Sequence, residues 1–233
     1  MAFPAPSSTR TSAPDSALLR ALVERTGGPS HATTLTALRN ETAKHLDGAD
    51  SLLFIDRGAA KLVAHVPGGR EQIVSFHFEK DLVYLPARPV NEYSLCALAD
   101  CTLLSWPVNE MLAAMRREAG AACQFIERLF VSLELSREKS VLLGRKTAQE
   151  RLASFLISMA SRIGSRNGDR YELILPMSRR DIADSLGLTI ETVSRQLTDL
   201  REMDLIATSG RSTVILLDIP RLRGRAGLRP ASH

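Results

Sequence analysis

Short apolar stretches separated by turn residues run from about residue 33 to Pro107. The segments 51–58, 59–69, 71–78 and 101–107 are the clearest of them, and glycines mark tight turns at Arg57-Gly58 and Gly68-Gly69. Closely spaced short strands with glycine turns are typical of an antiparallel barrel or sandwich. We therefore predict a β domain over residues 18–107. The preceding residues 1–17, rich in Ser, Pro, Ala and Thr, are predicted to be a disordered tail.

The hydrophobic period changes at Val108. Apolar residues then recur at spacings of three, four and seven, which predicts one long amphipathic helix over residues 108–142. A narrow apolar stripe in its C-terminal half resembles a coiled-coil seam, and its members are Cys123, Ile126, Phe130 and Leu133. Packing of this stripe on the chain's own β domain is the alternative. A helix this long extends beyond a small barrel, which favours packing against the same helix of a second chain. We therefore predict a parallel homodimer.

A second domain is predicted over residues 143–220, after a hinge at Leu143-Gly144-Arg145-Lys146. Apolar positions indicate helices over residues 147–163, 179–185 and 190–202, and a strand pair over residues 205–217 closes the domain. The remaining residues 221–233 are basic and contain glycine, which predicts a frayed tail. The resulting fold class is α+β.

Capping signals organise the two shorter helices. Ser178 can cap the first of them, with Asp181 three residues later as the reciprocal partner of a capping box. Gly187 permits a sharp turn, and Thr189 can cap the second helix. Two short helices joined by a tight turn that contains glycine predict a helix-turn-helix.

The second of these helices has two chemically distinct faces. At 100° per residue, its apolar residues and its polar residues form two groups that lie roughly 130° apart around the helix. The apolar group is Ile190, Val193, Leu197 and Leu200. The polar group is Glu191, Ser194, Arg195 and Thr198. Arginine can donate twice to guanine, glutamate can accept from cytosine, and serine can bond a base or touch the thymine methyl. The alternative interpretation is an ordinary amphipathic helix pair, because a polar outer face is common in such pairs. The agreement of caps, turn, polar face and strand pair favours a DNA-binding module.

Charge adds to this prediction. The 233 residues carry a net charge of +4, and the excess lies after residue 144, where 15 basic residues, 14 of them arginine, face 10 acidic ones. Arginine suits phosphates and guanine edges, so an anionic partner is indicated. Arg179 and Arg211 are candidates for phosphate contacts. The complete set of candidate DNA-binding residues is Ser178, Arg179, Arg180, Thr189, Glu191, Thr192, Ser194, Arg195 and Arg211.

Three stretches carry a resemblance to a known family. The runs LGRKTAQERLASFL (143–156), GLTIETVSR (187–195) and GREQIVSFH (69–77) resemble the CRP/FNR superfamily, closest to its FNR/FixK branch, over about residues 33–217. The resemblance implies an N-terminal β-roll sensor domain, a dimerisation helix and a C-terminal winged helix-turn-helix. It also implies double-stranded DNA, a second copy and RNA polymerase as partners. In that branch an E-x-x-S-R triad reads TTGA-type half-sites, and Glu191, Ser194 and Arg195 hold its positions here.

The sequence lacks most of the residues with which sensor domains of this family bind their ligands. Cyclic-nucleotide members use Gly-Glu and Arg-Ser pairs, whereas Asn91-Glu92 stands at the second pair and the first is missing from residues 81–89. An iron–sulfur cluster needs four thiolates, and only Cys96, Cys101 and Cys123 exist. His77 could ligate haem, although a histidine there is ordinary in non-haem relatives. We therefore predict no cofactor and no metal, and keep a haem- or redox-sensing regulator as the alternative.

An enzyme is the remaining class to weigh. A cupin-like metal site needs closely spaced histidines, and none of the five forms a His-x-His pair; they are His31, His45, His65, His77 and His233. No G-x-S-x-G nucleophile motif is present, so we predict that the protein is not an enzyme. Few cysteines, no apolar run of membrane-spanning length and no secretory signal predict a cytoplasmic location without membrane contact.

Overall fold

Eight strands form in the region of short apolar stretches, in a computed structural model that describes residues 33–43, 49–87, 92–116 and 119–228. The predicted tail over residues 1–17 and Asn91 lie outside the described residues. The strands are β1 (Thr33–Ala37), β2 (Thr42–Ala43), β3 (Ser51–Arg57), β4 (Ala59–Val66), β5 (Arg70–Phe78), β6 (Leu82–Leu85), β7 (Glu92–Ala97) and β8 (Cys101–Pro107).

These strands make two four-stranded antiparallel sheets, in the orders β1-β8-β3-β6 and β2-β7-β4-β5. Apolar side chains from both sheets fill the space between them, among them Leu53, Ile55, Leu95 and Leu103, each at most 1% exposed. The β3–β4 turn needs Gly58, because its φ is +95° and a Cβ there would lie 2.3 Å from the Asp100 carbonyl oxygen. The predicted antiparallel β domain is confirmed.

The helical region after Pro107 differs from the single helix predicted over residues 108–142. The structure has two helices, α1 (Val108–Met115) and α2 (Ala119–Arg145). The first is tied to the β domain, because Met111 and Met115 are buried in one cluster with Phe54 and Trp106. The prediction of one continuous helix is therefore wrong.

The predicted hinge also changes, because α2 continues to Arg145. The connection to the next helix is reduced to Lys146 and Thr147. Lys146 is itself held, since its ammonium group donates to the Ser154 hydroxyl at 2.7 Å and to the Ala226 carbonyl at 2.8 Å. A cation with two such acceptors anchors this link to the domain that follows.

The C-terminal domain contains the predicted helices and more strands than predicted. Its elements are α3 (Ala148–Ile163), β9 (Ser165–Asn167), β10 (Arg170–Ile174), α4 (Arg179–Leu186), α5 (Ile190–Glu202), β11 (Ile206–Ser209), β12 (Thr213–Leu216) and α6 (Ile219–Arg225). The four strands form one antiparallel sheet in the order β11-β12-β10-β9. The hairpin β9–β10 was not predicted, although its two-residue turn Gly168-Asp169 is a recognised hairpin signal.

Helix α6 overturns the predicted frayed tail for residues 221–228. Asp218 caps this helix by accepting from the Arg221 backbone N–H at 2.9 Å. Leu222 and Ala226 are fully buried in the cluster that includes the apolar face of α3. Burial of these two side chains offsets the cost of ordering the short helix.

The two domains share an apolar interface within the chain. The outer face of β4 and β5 and the inner face of the C-terminal domain belong to one buried cluster. At its centre the rings of Phe76 and Phe155 meet edge to face, with centroids 6.0 Å apart. Arg162 of α3 reaches back to the β domain, where it pairs with Asp81 and lies over the ring of Phe78.

His77 of β5 lies next to the pair of Asp81 and Arg162. Its side chain is 14% exposed, its Nε2 lies 2.7 Å from the Ser75 hydroxyl and its Nδ1 faces the Asp81 carboxylate at 3.8 Å. Burial lowers the pKa of His77 from 6.5 to about 4, against an upward effect of Asp81, while Arg162 lowers it further. The folded protein therefore keeps this imidazole neutral at pH values at which an exposed histidine is charged.

We expect acid to destabilise the fold through His77. Because the folded-state pKa is depressed, the unfolded state takes up the proton first, and stability is lost as pH falls from 6.5 towards 4. Between about pH 7 and about pH 5, the loss should be about 2 kcal/mol. Urea unfolding at both pH values measures it. His77→Gln should reduce the difference by that amount. A matched His65→Gln variant, at a residue with a 35% exposed side chain, should keep the difference. Equal pH dependence in all three proteins would contradict this account.

Candidate nucleic-acid interface

Helix α4 begins with the predicted capping box. The Ser178 hydroxyl accepts from the Asp181 backbone N–H at 3.1 Å, and the Asp181 carboxylate accepts from the Ser178 backbone N–H at 2.8 Å. Two of the otherwise unpaired N–H groups at the helix start are thereby satisfied. Ser178, Arg179 and Arg180 remain exposed at this end, where the helix dipole is positive. This end of α4 is therefore suited to an anionic partner.

Asp181 also connects this helix to the β domain. The Lys61 ammonium group of β4 donates to the Asp181 carboxylate at 2.6 Å. Burial raises the pKa of Asp181, but hydrogen bonds from Lys61 and Ser178 outweigh it, so the net pKa is lowered. The carboxylate therefore stays charged while it caps α4 and binds Lys61. Sequence analysis missed Lys61, because its partner lies 120 residues further along the chain.

The turn between α4 and α5 has the conformation that its residues favour. Gly187 ends α4 in the left-handed region at φ +62° and ψ +42°, which glycine adopts without strain. Thr189 then caps α5 by accepting from the Thr192 backbone N–H at 3.2 Å. The predicted helix-turn-helix is confirmed in its caps and in its turn.

Helix α5 packs one face and exposes the other. Val193 and Leu200 are fully buried and Leu197 is 8% exposed. Glu191 and Arg195 are exposed, whereas Ser194, Thr192 and Thr198 are half-buried. The acidic and basic side chains thus share the solvent side of the helix, one turn apart. An exposed helix face of this kind is a suitable size for the major groove of DNA.

The Glu191 carboxylate lies at the N-terminus of α5. Hydrogen bonds from its own backbone N–H and from the Thr189 side chain lower the pKa of Glu191. The group is therefore a charged hydrogen-bond acceptor near neutral pH. Arg195, at position i+4, is exposed and offers donors only. The face therefore presents a pure acceptor beside a pure donor.

The strand pair β11–β12 carries the predicted wing. Gly210 turns the chain at φ +62°, and Arg211 is exposed beside it. The wing is held to the domain by β10, which pairs with β12 along Tyr171–Ile174. Arg211 thus extends from an anchored hairpin, at a position where a side chain can meet a phosphate backbone.

The predicted dimer residues lie away from this interface, on α2. Cys123, Ile126, Phe130 and Leu133 are all exposed, with Phe130 at 63%. The structure thus leaves the whole predicted stripe without cover from the described part of its own chain. The alternative that the stripe packs on the β domain is not what the structure shows.

Candidate ligands for a metal or cofactor are dispersed. Among the described residues, no three His, Cys, Asp or Glu side chains form a group able to hold a metal ion. Cys101 is buried inside the β domain, and burial raises the pKa of its thiol; Cys96 packs on the other side, against the interdomain cluster. In the described residues, no helix is both long and apolar enough to cross a membrane.

Known proteins resemble the chain in both domains. A family model described as a Crp-like helix-turn-helix domain matches residues 150–225. The nitrogen fixation regulation protein FixK of Azorhizobium caulinodans is 36% identical over 176 residues, which cover 75% of this chain and 71% of that protein. The transcriptional activator protein FnrL of Cereibacter sphaeroides is 35% identical over 189 residues, or 78% of this chain and 75% of that protein.

Solved structures agree with the sequence comparison. FixK2 from Bradyrhizobium japonicum matches with a TM-score of 0.72 and 30% identity, covering 86% of this chain and 99% of that one. Identity and coverage at this level, together with the helix-turn-helix built by α4 and α5, establish the relationship. The chain belongs to the CRP/FNR family of transcription regulators, in its FixK branch, and carries that family's DNA-binding helix-turn-helix domain.

Proposed function

We propose that the protein regulates transcription as a homodimer that binds a two-fold symmetric DNA site with TTGA-like half-sites. The observation that carries the proposal is the exposed face of α5. Glu191, Ser194 and Arg195 occupy positions i, i+3 and i+4, so that all three can enter one major groove. Arg195 takes the guanine, and Glu191 takes the cytosine paired with it.

Further contacts fix the protein on the DNA backbone. The start of α4, with Ser178, Arg179 and Arg180, offers N–H groups and positive charge to one phosphate segment. Arg211 at the wing tip meets another. Thr189 and Thr192, at the start of α5, complete the set, within hydrogen-bond reach of each other at 3.1 Å. These contacts provide affinity and register, whereas the face of α5 provides sequence preference.

The two faces of α2 support the homodimer. Lys139 donates to the carbonyls of Ile73 and Val74, and Arg128 donates to the carbonyl of Lys80. At 100° per residue, Arg128 and Lys139 lie roughly 180° around the helix from Ile126 and Phe130. One face of α2 is thus bound to the β domain of its own chain. The opposite apolar face is left for a second copy, since a soluble helix does not keep such a stripe in water.

The filled interior of the β domain supports regulation without a bound cyclic nucleotide or iron–sulfur cluster. Packed apolar side chains occupy the space between the two sheets. The raised thiol pKa of Cys101 disfavours the reactive thiolate. Both ring nitrogens of His77 face polar partners within the protein, which speaks against the haem alternative.

The protein acts in the cytoplasm, where duplex DNA is accessible, and its partner in transcription is RNA polymerase. Relatives in this branch are named transcriptional activators. An activator of this type has to bind DNA and contact the polymerase at the same time, so the polymerase contact uses surfaces that face away from the DNA.

Arg195 should read one base pair, whereas Arg211 should bind without sequence preference. Arg195→Ala should cost about 1–3 kcal/mol per half-site and relax the preference at the G·C pair. Arg211→Ala should weaken all sequences similarly and flatten the salt dependence. Both variants are titrated with the intact site, a site changed at that pair, and random DNA. If Arg195→Ala weakened all three equally, base reading would not belong to this face.

The α2 stripe should hold the dimer together. Phe130→Glu combined with Ile126→Glu places four charges across the seam, so we expect monomers with much weaker DNA binding. Light scattering measures the mass. Val131→Glu is the matched control. Val131 follows Phe130 in α2 and is 58% exposed, but it lies outside the seam. A dimer that survives the double substitution would exclude this interface.

Purified protein should carry neither an iron–sulfur cluster nor haem, because the cysteines are too few and His77 is engaged. We expect no visible absorption band and less than stoichiometric iron after anaerobic purification. Anaerobic handling is essential, since an oxygen-sensitive cluster would otherwise be lost before the measurement. Stoichiometric iron would refute the proposal of a cofactor-free regulator and favour the ligand-sensing alternative.

A further inference from the structure

Arg151 donates three hydrogen bonds to backbone carbonyls from three different segments. Its Nη2 donates to the Leu143 carbonyl at 2.8 Å, its Nη1 to the Leu186 carbonyl at 2.9 Å, and its Nε to the Lys146 carbonyl at 2.9 Å. Leu143 belongs to the last turn of α2, Leu186 is the last residue of α4, and Lys146 lies in the link between α2 and α3. One guanidinium group therefore joins the dimer helix to the helix-turn-helix.

Two of the three carbonyls that it binds, those of Leu143 and Leu186, are carbonyls that helix ends leave without partners. The last four carbonyls of a helix have no internal N–H donor, and the C-terminal end carries partial negative charge. Two such ends, those of α2 and α4, meet at Arg151. The two ends also lie close together, since a Cβ built at Gly187 would lie 3.8 Å from a methyl carbon of Leu143 and 3.5 Å from Nη1 of Arg151. The end of the dimer helix thus lies against the turn of the helix-turn-helix.

The position of Arg151 within α3 shows that these long-range partners, rather than its own helix, account for an arginine here. It lies near the start of α3, where the helix dipole disfavours a cation. A lysine there would offer a single ammonium group, which cannot reach three carbonyls spread around a planar fork. The three acceptors therefore demand the guanidinium shape as well as the charge.

We propose that Arg151 is a positioning residue that sets the angle between the dimer helix and the recognition helix α5, and thereby the spacing of half-sites that the dimer accepts. This inference rests on the proposed homodimer and its symmetric site. In a two-fold symmetric regulator, the separation of the two recognition helices determines the half-site spacing, about one helical turn of DNA or a multiple of it. A joint held at three points keeps that separation constant, and a loosened joint permits several.

The test measures DNA binding by the full-length protein on duplexes whose half-sites are moved apart or together in single base-pair steps. The variants are Arg151→Lys, which keeps the charge, and Arg151→Gln, which removes it. Arg170→Gln is the matched control, because Arg170 is exposed in the β9–β10 hairpin of the same domain. For wild-type and control protein we expect one sharply preferred spacing.

For both Arg151 variants, the preference for the best spacing over its neighbours should fall about tenfold, since loosening the joint removes hydrogen bonds to carbonyls at helix ends. The preference at each base within a half-site should stay as in the wild type, because the face of α5 is unchanged. Thermal unfolding and light scattering test whether Arg151→Lys is still a folded dimer, as we expect. The conservative variant keeps the test valid should Arg151→Gln unfold.

Equal loss at every spacing would overturn the inference, because it would give Arg151 only a role in stability. An unchanged spacing preference in both variants would overturn it as well, while the proposed function would stand. If the wild-type protein itself showed no preferred spacing, the symmetric site and the positioning role would both fall. The two proposals therefore fail by different measurements.

Discussion

A single apolar core that crosses from one domain to the other is the constraint on which the rest of the structure depends. It begins at the outer face of β4 and β5, includes Phe76 and Phe155, and continues to Val193 beneath the exposed face of α5. Close-packed interiors transmit displacement, because they have few voids in which a shift can be absorbed. The exposed side chains of α5 are therefore held on a support that extends back to the β domain.

Charged groups at the rim of this core determine how the domains are oriented. Lys61 with Asp181, and Arg162 with Asp81, join the two domains, and Arg151 joins the end of α2 to the end of α4. Ion pairs of this kind contribute little net stability, because desolvation offsets much of their attraction. Their geometry is directional, however, and apolar contact is not. The apolar core thus supplies the stability, and the polar joints select one orientation.

The sequence predicted those parts of the fold that local signals encode. Ser178, Gly187 and Thr189 specify the helix-turn-helix within about a dozen residues, and the period of α5 separates its faces without help from distant residues. Tertiary features were less accessible. The predicted long helix is instead two helices, the first of which buries Met115 against the β domain, and the burial of Leu222 orders a segment whose composition predicted a frayed tail. In both cases, packing against residues far away in the sequence outweighed the local pattern.

A carboxylate in an otherwise basic interface has a consequence for specificity. The Glu191 carboxylate is charged near neutral pH, and hydrogen bonds at the start of α5 lower its pKa further. It can accept from cytosine N4, but it has no donor for guanine or for thymine O4, which present acceptors in the major groove. Next to those edges the carboxylate would lose its hydrogen bonds to water and form no new ones, which is unfavourable for a buried charge. In the proposed DNA complex, Glu191 therefore excludes guanine and thymine as much as it binds cytosine, and the attraction of Arg195 alone would not provide that exclusion.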